Sequence, residues 1–369
     1  MSSVPSAGPS GPERPARGLC GLVERGLLPD AAFRFMVRRF CAKRLSTERS
    51  GETAATDGAR QREIDAFGQA ELTVRASPLL GPLRDVPPRF FRHCLGPRLA
   101  SAGCYYPSGQ ETLAQAEDAM LELCGARAEL DDHQAILELG CGWGALTLWM
   151  ARRFPHARIT AVTDCMAQYD YIRGCCEREG RRNVQVVHGG VAGFDAIPGS
   201  FDRVVTVELL DRVSSYRVLL ARIARWLRPG GKCFAHFVAH RTLSYAPVVP
   251  AHGGWARRHG FTGGAVPSVD APLWFQDDLH VERRWLIDGT HYQRTANHWL
   301  ANQDAARDAV MAVLRDLHGD AAGLWYRRWR MVWMMLAERF GYADGAEWMA
   351  VHYRFARPES WEHSLIGRF

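Results

Sequence analysis

The sequence predicts an α/β protein built on a doubly wound, parallel sheet, and three observations predict it. Between residues 135 and 239, short β-prone runs alternate with longer stretches of helical periodicity, the pattern of strands joined by crossover helices. The first such run, Ile136-Leu137-Glu138-Leu139, stops at Gly140-Cys141-Gly142-Trp143-Gly144, and a helical pattern begins at Ala145. The 369 residues are 47% hydrophobic and 23% charged, enough for one large or two medium domains with a substantial core.

Residues 1–17 form a Pro/Ser/Gly tail expected to be disordered. Residues 18–130 read as a helical N-terminal cap. Apolar positions such as Leu22, Val23, Leu27, Leu28, Phe33, Phe35 and Met36 follow helical spacing as far as residue 45. The polar stretch STERSGETAATDGARQRE (46–63) reads as a flexible link. Residues 64–98 read as helical again, broken near Pro78, Pro82 and Pro87-Pro88.

Across 131–240 the expected order is strand 135–139, helix 145–153, strand 157–163, helix 165–179, strands 183–189 and 201–209, helix 214–227 and strand 231–239. Gly230-Gly231 reads as the turn before the last strand. Residues 241–369, rich in Trp and His, would form an acceptor-binding and lid region ending in an apolar helical stretch at 321–340. Within it Trp325, Trp329 and Trp333 recur every four residues, the spacing of a buried helix face; an aromatic wall for a cation is the weaker reading.

The net charge of +6 comes almost entirely from Arg, since only Lys43 and Lys232 are lysines. The arginines are interleaved with acids and form no basic stripe, which argues against nucleic-acid binding. Ten scattered cysteines without a C-x-x-C pair read as free thiols rather than as zinc ligands or a disulfide framework, so no metal is expected. No apolar signal core and no run of 18 apolar residues is present, so the protein is expected to be cytoplasmic, without stable membrane insertion. A homodimer is compatible with these features.

Glycines between a strand and a helix let backbone N–H groups approach a ligand at the positive helix end. A dinucleotide site would want G-x-G-x-x-G and an acid about 20 residues on. Here the third glycine comes early, the second strand ends in Thr163-Asp164, and no Walker lysine follows. The run E-L-G-C-G-W-G, followed by V-T-D-C-M-A-Q and W-L-R-P-G-G-K, resembles the class I S-adenosylmethionine-dependent methyltransferases.

Cys104-Tyr105-Tyr106 with ETLAQAEDAMLELCGARAEL resembles the entry segment of the cyclopropane fatty acid synthase superfamily. Thr163 to Gln168 looks like that group's T-x-S-x-x-Q, with Cys165 where Ser is usual. The segments 274–300 and 340–355 look like the coclaurine N-methyltransferase group and its pavine and protoberberine N-methylating relatives. The resemblance runs from about Gly21 to Phe355.

The resemblance implies S-adenosyl-L-methionine as cofactor on a Rossmann-like domain. Tyr105 and Tyr106 would close over its methionyl end, above a floor of Gly140, Gly142 and Gly144. Gln168 would take the ribose hydroxyls, and Gly190-Val191 would flank the adenine. Glu138, Thr163 and Asp164 complete the implied cofactor set.

On the acceptor side, Glu208, Asp211 and Arg212 are spaced i, i+3 and i+4, so a turn of helix would put all three on one face. The related N-methyltransferases carry E-x-x-E-H there, whose acids and His orient and deprotonate an amine. Asp211 shortens the second acid and Arg212 replaces the His. An amine with a pKa near 10 is mostly protonated at about pH 7, and carboxylates can hold it and assist proton loss. Arginine cannot accept a proton. Arg212 therefore pairs with an acid as a strut or binds an anionic group of the substrate.

His240, Tyr245, His291 and Tyr292 are the substrate-binding candidates. His236 and His240 lie four apart in a strand and so share a face. The expected activity is methyl transfer to a small molecule, most readily the nitrogen of an amine, with Glu208, Asp211 and Arg212 as the catalytic set. One alternative is lipid methylation or cyclopropanation, disfavoured because that chemistry accompanies a bicarbonate-binding set with a Cys where Gly103 stands here. The other is a catalytically silent S-adenosylmethionine-binding protein.

Overall fold

The computed structural model describes residues 15–16, 18–52, 56–74, 86–245 and 266–359. The expected tail lies outside them except for residues 15–16, and Pro78 and Pro82 lie outside as well. Seven strands form one sheet: β1 (Ala135–Leu139), β2 (Arg158–Thr163), β3 (Val184–His188), β4 (Phe201–Val207), β5 (Leu227–His240), β6 (His280–Ile287) and β7 (Trp348–Ala356). Their order is β3-β2-β1-β4-β5-β7-β6. The first five run parallel, and β7 is antiparallel to both β5 and β6. All five residues of β1 are buried, as in a strand covered on both faces.

The crossover helices are α6 (Ala145–Arg153), α7 (Met166–Arg178) and α8 (Tyr216–Trp226). The Ser215 hydroxyl caps α8 by accepting the Val218 N–H at 3.2 Å. Helices α1 (Gly18–Glu24), α2 (Asp30–Glu52), α3 (Thr56–Phe67), α4 (Pro88–Cys94) and α5 (Leu113–Ala128) precede the sheet. Helices α9 (Gly289–Ala305), α10 (Arg307–His318) and α11 (Ala322–Phe340) lie between β6 and β7.

The N-terminal and C-terminal helices share one apolar core that includes Phe33, Leu45, Phe90, Trp299, Trp329 and Trp333. Trp329 and Trp333 are buried, as their spacing predicts, whereas Trp325 is half-buried. A buried ion pair, Arg328 Nε to Glu24 Oε1 at 2.8 Å, ties α1 to α11, and Arg34 ties α2 to Glu338 at 2.8 Å. Among the described residues no helix is long and apolar enough to cross a membrane.

Two expectations are corrected. The polar stretch 46–63 is not a link: α2 continues through Glu52, and α3 begins at Thr56. Polar residues suit a solvated helix face, and Arg44–Glu48 (2.8 Å) is an i,i+4 pair of the kind that supports one. Of the stretch 64–98, only the end of α3 and α4 are helical among the described residues; α4 starts on Pro88, whose fixed φ suits a first turn.

Candidate active site

The carboxyl ends of β1, β2, β3 and β4 line one edge of the sheet, where ligands of open α/β folds bind. After β1, Gly140, Gly142 and Gly144 adopt φ of 75°, 54° and 80°, a region L side chains rarely enter. The N–H groups of Gly140 and Cys141 both donate to the Val162 carbonyl at 3.0 Å, which holds the loop against β2. A β-carbon on Gly140 or Gly142 would meet only Leu209 Cδ1 or Ser101 Oγ, each at 3.8 Å, so backbone there is open to close approach. Gly144 differs, because a β-carbon would stand 2.7 Å from Ile172; packing of α6 on α7 demands that glycine. No side chain caps α6, which leaves its first amides to a ligand or water.

The remaining cofactor candidates gather around this loop. Glu138 is buried at 2% exposure and accepts a hydrogen bond from the Thr147 hydroxyl, which fastens α6 to β1. Burial pushes its carboxyl up to about 8. The Thr163 hydroxyl donates to Gln168 Oε1 at 2.7 Å and lies 3.2 Å from the Cys165 N–H. Asp164 is exposed, Gly190 has open space where a side chain would stand, and Val191 is buried. These groups fit S-adenosylmethionine: glycine backbone for the methionyl end, then amide and carboxylate for a ribose diol.

The entry segment is held by α9. The Tyr106 N–H donates to His291 Nδ1 at 3.0 Å, the Tyr106 hydroxyl lies 3.0 Å from His298 Nδ1, and the Cys104 N–H donates to Thr295 Oγ1 at 3.0 Å. Tyr105 sits with its ring 4.8 Å from the His291 ring. His291 thus joins the two tyrosines. Thr295 and His298 are partners that the sequence reading missed, because nothing local marks which face of a distant helix meets this segment.

The acceptor segment departs from the single helical turn expected of it. Glu208 takes φ 50° directly after β4, and a short 3₁₀ turn follows at Leu210–Arg212. The Glu208 N–H donates to the His236 carbonyl at 2.7 Å, and the Thr206 hydroxyl to the Leu139 carbonyl at 3.0 Å. The end of β4 is thereby locked to β5 and β1, and non-helical geometry brings the two acids together.

Burial and the neighbouring Asp211 raise the Glu208 carboxyl to about 8; Tyr292, the Gly103 N–H and Arg212 oppose that rise. Burial likewise raises Asp211 to about 6 against the pull of Arg212 and Arg339. Glu208 Oε1 and Asp211 Oδ1 are buried and lack a hydrogen bond among the described residues. Tyr292, 2% exposed, stacks on Phe340 at 4.1 Å with the planes 5° apart.

His240 and Tyr245 have other work. His240 is fully buried, its Nδ1 accepts the Thr242 and Leu243 N–H groups at 3.1 and 2.9 Å, and its Nε2 lies 3.1 Å from Glu347. Burial pushes its pKa down to about 4. The Tyr245 hydroxyl accepts Trp348 Nε1–H at 2.7 Å, with Arg44 over its ring. Both hold the end of β5 against β7. His236 instead meets His352, with Nδ1 2.8 Å from His352 Nε2. Of the four substrate-binding candidates, only Tyr292 stands with the acids.

A family model described as mycolic acid cyclopropane synthetase matches residues 83–331. The (S)-coclaurine N-methyltransferase of Thalictrum flavum subsp. glaucum is 30% identical, covering 91% of this chain and 94% of that protein. The Papaver somniferum enzyme of the same name is 31% identical, covering 91% and 96%. The crystal structure of coclaurine N-methyltransferase bound to N-methylheliamine and SAH (S-adenosylhomocysteine) aligns with a TM-score of 0.84 at 31% identity, covering 90% of this chain and 97% of that one. A cyclopropane synthase of Mycobacterium tuberculosis, 17% identical with a TM-score of 0.59 over 80% of this chain and 98% of that one, shares the fold.

Proposed function

This chain belongs to the mycolic acid cyclopropane synthetase family and is an S-adenosylmethionine-dependent methyltransferase; from that premise we propose that it methylates the nitrogen of a small amine. One observation carries the reading. Two carboxyl groups, half-buried Glu208 and buried Asp211, stand after β4, each with one buried oxygen unbonded among the described residues, and Leu209 between them borders the glycine loop. Buried acids are retained where an opposite charge or a proton is to be handled.

When bound, S-adenosylmethionine supplies an electrophilic methyl on a sulfonium sulfur. Gly140, Gly142 and the first amides of α6 would hold its methionyl end, with Tyr105 and Tyr106 closing over it. Thr163, Asp164 and Gln168 would hold the ribose, Gly190-Val191 the adenine, and Glu138 supports the loop from below. Glu208 does the proton chemistry. A carboxyl near 8 is poised to hold an ammonium as carboxylate and then take its proton, which frees the nitrogen lone pair. Asp211, near 6, stays largely ionised at neutral pH and keeps negative charge beside the nitrogen. Tyr292 fixes where the Glu208 carboxyl points, and the remaining rate comes from alignment of nitrogen and methyl.

The segments before and after the central strands, 18–130 and 241–369, whose helices share one core, act in this reading as cap and acceptor cover. Ten free thiols fit a reducing compartment, the cytoplasm. Tyr292 also bears on the lipid alternative, because its ring fills the space of any side chain at Gly103. The test incubates the full chain and S-adenosylmethionine with primary, secondary and tertiary amines, and in parallel with unsaturated phospholipid vesicles. Amine-dependent release of S-adenosylhomocysteine with a methylated amine is expected. Release with the lipid alone would overturn the reading.

A further inference from the structure

One face of α9 is fastened to the entry segment by four side chains, His291, Arg294, Thr295 and His298. His291 Nδ1 accepts the Tyr106 N–H at 3.0 Å, and Arg294 Nη1 donates to the Gly109 carbonyl at 2.8 Å. Thr295 Oγ1 accepts the Cys104 N–H at 3.0 Å, and His298 Nδ1 lies 3.0 Å from the Tyr106 hydroxyl. The spacing i, i+3, i+4 and i+7 is that of one helix face. Residues 103–112 form neither helix nor strand. Side chains of α9, together with the Tyr105 N–H on the Ala116 carbonyl at 3.2 Å, therefore set where Tyr105 and Tyr106 stand.

These contacts differ in their response to a proton. A backbone N–H only donates, so the Tyr106 amide needs the lone pair of His291 Nδ1 and places the imidazole proton on Nε2. An imidazolium carries hydrogen on both nitrogens and would turn N–H against N–H. The Tyr106 hydroxyl can donate to a neutral His298 or accept from a charged one, so that contact survives in either state. The titratable and charged groups around His291 come from three elements. Asp288 Oδ2, at the start of α9, lies 3.6 Å from Nε2; Tyr105 and Tyr106 of the entry segment have ring centres 4.8 and 6.4 Å away; Arg294 on α9 and Glu111 before α5 act from further off. Burial, aided by Arg294, holds the imidazole below its usual range against the pull of Asp288 and Glu111.

Resting on the reading that Tyr105 and Tyr106 close over the cofactor, we propose that His291 is a positioning residue whose neutral imidazole holds the entry segment over S-adenosylmethionine, and that protonation at Nδ1 releases it. Closure then excludes one proton. Affinity for S-adenosylmethionine falls as pH drops below about 6.5, where a solvated imidazole charges, by up to about tenfold per pH unit.

Calorimetry of S-adenosylmethionine binding to the full chain, without amine, is run from about pH 7.5 to about pH 5.5. The wild type is expected to lose about 10-fold in affinity over that range. His291→Asn, whose amide oxygen accepts the Tyr106 N–H at every pH, is expected to lose about 2-fold or less. His291→Leu should bind about 2- to 10-fold more weakly than His291→Asn at about pH 7.5, the scale of one hydrogen bond. Asp288→Asn keeps a residue able to cap α9 but removes the charge that favours imidazolium, so the loss should move to lower pH. His298→Gln should keep the acid loss of wild type. Helix content by circular dichroism certifies folding of each variant. An acid loss in His291→Asn equal to that of wild type overturns the proposal, and so does one abolished in His298→Gln. Hydrogen-exchange protection of residues 104–109 in the cofactor-free chain separates this proposal from the reading beneath it. Protection lost with acid in wild type and kept in His291→Asn, with an affinity indifferent to pH in both, keeps the clamp and sinks the placement of the tyrosines at the cofactor. Protection indifferent to pH in wild type sinks the clamp.

Discussion

A β-carbon on Gly103 would stand 2.6 Å from Cδ2 of Tyr292, so one residue's ring occupies the space the other leaves empty. The ring is pinned on its other side by Phe340 and directs its hydroxyl toward Glu208. Packing thus couples a glycine in the entry segment to the carboxyl that handles the proton.

Gly103→Cys tests that coupling. The added atoms must displace Tyr292 or the entry segment, and overpacking of a filled core costs about 1–3 kcal/mol. A lowered Tm together with reduced kcat/KM on any amine the wild type methylates is expected. Wild-type values for both would show that the ring is free to move aside.

Glu208→Gln keeps the shape and removes the charge. Loss of general-base assistance is worth about 10²–10⁴-fold, so kcat/KM on an amine is expected to fall by that much while cofactor affinity holds. In the wild type the limb should rise with pH through about 8, where Glu208 ionises. Stability should move the other way. Burial favours the neutral carboxyl, so its contribution is full below 4.5 and is lost as pH rises through about 8. The variant should therefore gain Tm over wild type between pH 5 and about 9. Wild-type turnover near pH 7 in this variant would remove the acid from the mechanism.

Arg212 lowers the pKa of both Glu208 and Asp211. In Arg212→His the cation is mostly lost above about pH 6.5, and both carboxyls should titrate higher. The acid limb of kcat/KM should shift to higher pH, and amines of the benzylisoquinoline kind should be turned over faster on the plateau above that limb. A pH–rate profile superimposable on wild type would leave Arg212 outside the electrostatics of the site.

Gly142→Val places a β-branched residue at φ 54°, a region costly for it, and puts its methyls where the methionyl group would lie. Calorimetry is expected to show S-adenosylmethionine binding abolished in a protein that retains its helix content. Unchanged affinity would move the cofactor away from this loop.

Much of the fold was legible because its signals are local. Helix 145–153 and strand 135–139 fall on the residues their periodicities predict, and the glycines between them need φ values open to few other residues. The polar stretch 46–63 misled because solvated helix and loop share a composition; its pairing with the rest of the chain, such as Arg49 with Glu347, is invisible locally. The acids Glu208 and Asp211 could be named from spacing, but not their geometry. A left-handed residue after β4, fixed by the His236 carbonyl of the neighbouring strand, brings them together where a helical turn was expected.

By itself the sequence determined the period of each central element, the open glycine loop and the identity of the chemistry-bearing residues, since these depend on neighbours a few positions apart. Only the tertiary structure decided which of them share a site. It set His240 and Tyr245 in the seam between β5 and β7 and placed Tyr292 against Gly103 across 189 positions of chain. Those outcomes depend on side chains meeting across folded elements, where burial and charge at a position are set by partners that its own stretch of sequence does not contain.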